Sequence, residues 1–156
     1  MTTSSQPINL EQEFTALIEA LERADVAYAV VGALAVAIWG APRATTDIDL
    51  LVVPEDVDAA ITVAKERGFA FEALPMTFRD GMVLRRVSML RDGDVLTLDL
   101  ILVNESLRSV WESRCVVHTD AGPIFVVSRE ALIAMKTAAG RAQDLGDIQR
   151  LNELDR

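Results

Sequence analysis

The sequence predicts an α/β (α+β) fold, a small mixed β-sheet with flanking helices, and three observations carry that expectation. Short apolar runs alternate with helical periodicity between residues 27 and 68, a β, α, β, α order. An Asp92-Gly93 turn between two longer apolar runs marks an antiparallel hairpin, so the sheet must be mixed. No repeat, low-complexity tract or internal linker interrupts the 156 residues, which predicts a single unit over 1–156.

Element by element, Leu10, Phe14, Leu17, Ile18 and Leu21 recur at three- and four-residue spacing, predicting an amphipathic helix over 9–24 capped by Asn9. Residues 1–8 ahead of it are expected to fray. A strand over 27–32 ends at Gly32, and a helix over 33–40 starts directly after it. The next strand, 47–53, is stopped by Pro54, and a helix over 55–67 ends at Gly68. Strands at 82–90 and 94–103 form the hairpin; a short helix at 104–112 and strands near 114–118 and 123–127 follow. Ser128 caps a helix over 128–139, closed by Gly140, and a last helix spans 142–154, so the C-terminal segment 128–156 is helical.

Composition narrows the class. With 51% hydrophobic residues the chain has material for a core, and no apolar run approaches the roughly 20 residues of a membrane span, so a cytoplasmic protein is expected. Cys115 is the sole cysteine, which excludes an internal disulfide and reads as a buried small hydrophobe. Net charge is −9, which disfavours broad adhesion to a polyanion. Arg79, Arg85, Arg86 and Arg91 against Asp80 make 79–91 locally net +3; protection of an edge strand is the first explanation and a local nucleic-acid contact the second.

The candidate chemistry lies in carboxylates. Strand side chains alternate faces, so Asp47 and Asp49 project together while Ile48, Leu50 and Val52 face the other way. Two anions so placed raise each other's pKa unless a cation lies between them, and a divalent ion is the usual answer. Asp99 in "VLTLDLILV" is a carboxylate in mid-strand, where burial without a cation costs several kcal/mol. If its strand lies beside 47–53, all three carboxylates can meet around Mg²⁺ or Mn²⁺. The alternative makes the first pair an Asx-type turn or a solvated strand start and makes Asp99 the partner of a buried arginine. Removing Asp99 from the metal-free protein separates the two: relief of repulsion in the first case, a large loss of stability in the second.

A glycine turn stands nearby. "VVGALAV" runs from strand through Gly32 into a helix, so backbone N–H groups at 33–35 would face whatever lies ahead of the helix, a suitable seat for phosphate. Arg43 and Thr45, just before the aspartate pair, could add a cation and a hydroxyl to the same phosphates.

A glycine and small residue opening a helix, then "RATTDIDLLV", then a remote strand aspartate, together resemble the nucleotidyltransferase fold of the DNA polymerase β superfamily. Within it, "VVGALAVAIWGAPRATTDIDLLV" with "ALIAMKTAAGRAQDLGDIQRL" is most similar to the AbiEii-type toxin nucleotidyltransferases and their uncharacterised relatives. The resemblance implies a nucleotidyltransferase-like fold and transfer of a nucleotidyl group from an NTP. It implies Asp47, Asp49 and Asp99 as Mg²⁺ ligands and Gly32 in the phosphate turn, with Ala33 keeping the backbone donor where many members carry serine or a second glycine. It further implies Lys136 and Arg141 approaching the triphosphate, Asp144 and Asp147 as matching acidic positions, and a small antitoxin as partner. The acceptor stays open among an RNA end, a protein side chain and a small molecule.

Four further readings stand beside these. Lys136 can equally be a helix-face charge in line with residue 140, and Arg141, Asp144 and Asp147 charges that only cap and solvate the last helix. His118, Trp39 and Trp111 read as structural. An aspartyl phosphatase also uses Asp-x-Asp, but its apolar strand precedes the pair, whereas here it follows. A degenerate, inactive member of the fold acting as a binding or regulatory module is the non-enzymatic alternative.

Overall fold

A computed structural model of the chain describes residues 6–42 and 44–154. Six α-helices, α1 (Leu10–Arg23), α2 (Gly32–Ile38), α3 (Val57–Glu66), α4 (Arg108–Glu112), α5 (Arg129–Ala139) and α6 (Ala142–Glu153), accompany eight strands among these residues. The strands are β1 (Ala29–Val31), β2 (Asp47–Val52), β3 (Phe71–Glu72), β4 (Met76–Thr77), β5 (Val83–Arg91), β6 (Asp94–Leu102), β7 (Cys115–Thr119) and β8 (Gly122–Val126). They form one sheet in the order β3-β5-β6-β2-β1-β8-β7, with β4 paired to β5.

That sheet is mixed, as the hairpin signal required: β2 runs parallel to β6 and β1 to β8, and the other neighbours are antiparallel. Asp92 and Gly93 both take positive φ, 51° and 86°, the turn that matches the twist of a two-residue hairpin. Such a turn fixes every pair upstream of it. Arg91 faces Asp94, so Arg86, five residues earlier, faces Asp99, five residues later.

The sheet's apolar face is dense where it matters for the site. Ile48 and Leu50 on β2 lie beside Leu98 and Leu100 on β6, Val87 on β5 faces Leu98, and all five are fully buried or nearly so. Fixing this face leaves Asp47, Asp49 and Asp99 no alternative but the other one. Their carboxylates are held by packing behind them.

The helices begin and end where the sequence implies. Asn9 accepts a hydrogen bond from the Gln12 N–H (3.0 Å), and Phe14, Leu17, Ile18 and Leu21 form the buried stripe of α1. Ser128 accepts from the Ala131 N–H (3.1 Å), and Gly140, at φ 64°, closes α5. α5 packs against both α6 and α2. The region expected as one helix over 55–67 starts as a 3₁₀ turn at Pro54–Asp56 and continues as α3; Glu105–Leu107 precedes α4 in the same way.

Several expectations are corrected. β3 and β4 have no counterpart in the sequence reading, since two-residue strands flanking Pro75 carry no periodicity. They pair with β5 between Val83 and Ser88, so that part of β5 is interior and Arg85 and Arg86 are not an edge fringe, while Arg91 lies beyond the pairing. Arg85 pairs with Glu72 (2.6 Å), Arg91 with Glu13 (3.1 Å) and Arg86 with Asp99 (2.7 Å). Cys115 is half-buried instead of fully buried, and His118 is exposed on β7. Trp111 is buried, and Trp39 donates its indole N–H to Val127 O (3.0 Å). Residues 1–5 of the segment expected to fray lie outside the described residues; Gln6 to Asn9 form no regular element. No helix among the described residues is long and apolar enough to cross a membrane.

Candidate active site

Four residues form a row across the sheet. Arg86 on β5 faces Asp99 on β6, Asp99 lies beside Asp49 on β2, and Asp49 faces Val31 on β1, whose successor is Gly32. Asp47, two residues before Asp49, is exposed at the strand's entrance, while Leu51, two residues after, is fully buried. The site therefore sits where β2 passes from solvent into the core.

Gly32 is held there by two independent constraints. Its φ of +70° is a conformation that side chains rarely adopt, and a Cβ built on it would overlap Asp49 Oδ2 and lie 3.0 Å from Asp49 Cγ. The backbone that opens α2 thus touches the carboxylate directly. No side chain caps α2, and Ala33 is buried beneath its first turn.

The electrostatics show a shortage of positive charge at Asp49. Its carboxyl is pushed up to about 7 by burial, then by Asp99, then by Asp47, and Lys136 and Arg86 only partly offset this. Asp99, only 6% exposed, has its own cation. Arg86 Nε donates to Oδ1 (2.7 Å) and Nη2 to Oδ2 (3.0 Å), a two-pronged bond that raises the guanidinium's own pKa. So the arginine partner allowed by the alternative reading is present, although its side chain is 44% exposed and not enclosed in the core.

Oxygen donors of this kind suit a hard divalent cation. Asp49 is short of positive charge, Asp47 shares its face, and Asp99 is its register neighbour on that face. Among the described residues no three such side chains already close around one point, and both oxygens of Asp99 are turned to Arg86. The residues fit the ion in type and strand placement, provided Asp99 exchanges partners.

A second charged cluster joins α5 to α6. Lys136 is buried and donates to Asp147 Oδ2 (2.8 Å) and Asp144 Oδ1 (3.5 Å). Arg141 Nε reaches Asp144 Oδ2 (2.6 Å) and Arg150 Nη2 reaches Asp147 Oδ1 (2.9 Å). Burial pushes the Asp144 carboxyl up, but hydrogen bonds from the Arg141 side chain and N–H outweigh it and hold the group below its ordinary value. Arg141 and Asp144 do cap α6 through a capping box, but the carboxylates are not solvated, since Asp144 and Asp147 are 1% and 0% exposed. Their field reaches the carboxylates: Lys136 lowers the pKa of Asp49, and Asp49 raises that of Arg141.

The remaining expected residues differ. Thr45 Oγ1 accepts from the Asp47 N–H (3.2 Å) and shapes the strand's entrance. Arg43 lies outside the described residues. Arg86 is the member that sequence reasoning missed as part of the site, though the hairpin register carried the signal. A groove of about 960 Å³ between α1, α2 and β7–β8 contains none of these residues.

No protein-family model matches the chain. No curated protein matches it either. Solved structures do. A Thermotoga maritima protein described as a nucleotidyltransferase matches at TM-score 0.63 with 17% identity, over 95% of this chain and 98% of that one. The lincosamide antibiotic adenylyltransferase LnuA, bound to lincomycin, matches at TM-score 0.65 with 14% identity, over 94% of this chain and 98% of that one. The antibiotic-resistance factor ANT(2'')-Ia matches at TM-score 0.63 with 12% identity, over 92% and 84%. At such identities the likeness establishes architecture, and this chain has the nucleotidyltransferase fold.

Proposed function

We propose that this chain transfers a nucleotidyl group from an NTP to an acceptor hydroxyl, with Asp47, Asp49 and Asp99 as ligands of Mg²⁺ or Mn²⁺. One observation carries the reading: the carboxylate of Asp49, the register partner of Asp99 on the next strand, stands directly against the positive-φ turn of Gly32. Carboxylates and a backbone turn that shares their space are what a metal–triphosphate complex needs at one point. When bound, the ion would supply charge for the developing phosphoryl oxygens and favour the deprotonated acceptor.

The chain's own residues position the rest. The uncapped first turn of α2, with the Gly32 and Ala33 N–H groups, faces the phosphates, and Thr45 fixes the entry of Asp47. Arg141, 65% exposed beyond its bond to Asp144, meets the triphosphate, and Arg43 is assigned to it as well. Lys136 acts indirectly. Its ammonium ties Asp144 and Asp147 together and so sets the position of α6 and Arg141.

For the acceptor, a small molecule is the first class to screen, because structures of this fold have been solved with lincomycin and with adenylyl-2''-tobramycin. An RNA end and a protein side chain are the other two. The resemblance to AbiEii-type toxins adds a toxin role in the cytoplasm with a small antitoxin partner, which co-purification from the native host tests. The enzymatic reading is tested with α-³²P-labelled ATP, CTP, GTP and UTP and an acceptor panel in Mg²⁺. Label should move to an acceptor with the wild type and not with Asp49→Asn; no transfer by either, with any NTP, counts against it.

One observation favours the second reading, a non-catalytic binding module: Arg86 already neutralises Asp99. If that pair persists in saturating Mn²⁺, the third ligand is lost and the module reading prevails.

A further inference from the structure

We propose that Arg86 is an internal counter-cation, which occupies Asp99 in the metal-free protein and must release it before a divalent ion can take both Asp49 and Asp99. This rests on the metal-site reading above and makes Arg86 a positioning residue.

Geometry supports the competition. The guanidinium takes both oxygens of Asp99, at 2.7 and 3.0 Å, leaving neither oxygen's in-plane lone pair facing the guanidinium available to a second cation. It sits in the register position opposite Asp99, so a rigid ladder delivers it there without help from any loop. Asp47 and Asp49 also act on it, so the same three anions that would attract a metal attract Arg86. One fixed charge stands where a mobile one would bind.

Asymmetry of burial shows which partner can leave. The Asp99 side chain is 8% exposed and the Arg86 side chain 44%. A carboxylate on β6 enclosed between β2 and β5 cannot follow solvent, whereas a half-exposed guanidinium on a flexible stem can turn outward by rotamer change alone. By contrast, the Lys136 cluster is closed on every charged member but the outer arginines, as a permanent linkage would be. The neighbouring Arg85 and Arg91 bind Glu72 and Glu13, outside the row, so they cannot replace Arg86.

The test is a Mn²⁺ titration of the full chain, read by the electron paramagnetic resonance signal of free Mn²⁺, with thermal melts in EDTA as a second measurement. Arg86→Ala should bind Mn²⁺ about tenfold more tightly than wild type. Arg86→Lys, which keeps the charge but loses the fork, should fall between them. In EDTA the Arg86→Ala protein should melt below wild type, and saturating Mn²⁺ should close the gap. Equal or weaker Mn²⁺ binding by folded Arg86→Ala and Arg86→Lys, still abolished by Asp49→Asn, overturns the competition and leaves the metal site standing. No Mn²⁺ uptake by wild type or by any folded variant overturns the metal site itself and the competition with it.

Discussion

Asp49 and Asp99 are register partners on adjacent parallel strands, so two carboxylates stand side by side on one face of the sheet. Neighbouring parallel strands are separated by about 4.8 Å, which brings like charges close enough to oppose each other's ionisation.

The first consequence is a pH-dependent instability of the metal-free protein. Unfolded, Asp49 loses its proton near its ordinary 3.8; folded, it keeps it to about 7, because of burial and then its two carboxylate neighbours. Between those values the folded state binds more protons, so this group's contribution falls as pH rises and its cost is complete above about pH 7. Asp49→Asn should match wild type near pH 4 and exceed it at pH 8 by about 2–4 kcal/mol in EDTA. Urea unfolding at both pH values checks this; parallel curves would contradict it.

Gly32→Ala is expected to destabilise by about 1–3 kcal/mol through backbone strain, and further by displacing the Asp49 carboxylate. Thermal melts measure the stability. Nucleotide affinity in Mn²⁺ should fall as well, a loss that Gly81→Ala, in open space on the hairpin side, should not produce.

Asp99→Ala now has a definite sign. Relief of repulsion is outweighed because Arg86 loses a two-pronged partner, and a loss of about 1–3 kcal/mol is expected in EDTA. The measurement belongs at pH 5, where Asp49 is protonated and the relief it would gain is absent. A gain in stability at pH 5 would contradict the structural role of the pair.

Lys136→Met should cost about 3–5 kcal/mol, since it leaves the buried Asp144 and Asp147 without the ammonium between them. Guanidinium unfolding of the variant measures it directly. A loss under about 1 kcal/mol would mean that Arg141 and Arg150 hold the carboxylates alone.

Much of this fold is legible in the sequence because its elements announce themselves locally. Asn9 and Ser128 cap helices through their own side chains, Gly140 ends one through left-handed backbone, and Asp92-Gly93 sets a hairpin. The shared face of Asp47 and Asp49 follows from strand alternation alone. Their meeting with Asp99 does not, since only the tertiary pairing of β2 with β6 brings it about. Arg86 was within reach of the hairpin register, yet a run of arginines looks the same on an edge strand as on an interior one. β3 and β4, which make β5 interior, are too short to leave a periodic signal. The burial of Asp144 and Asp147 was equally hidden, because charges on a helix read as solvated until a neighbouring helix covers them.

Crystals grown with Mn²⁺ and a non-hydrolysable NTP, examined by anomalous diffraction at the manganese edge, test the central claim most directly. The account predicts a manganese peak within coordination distance of Asp47, Asp49 and Asp99, with triphosphate at the Gly32 turn and Arg86 turned away. A nucleotide-bound structure with no peak there, and with Arg86 still on Asp99, would contradict it.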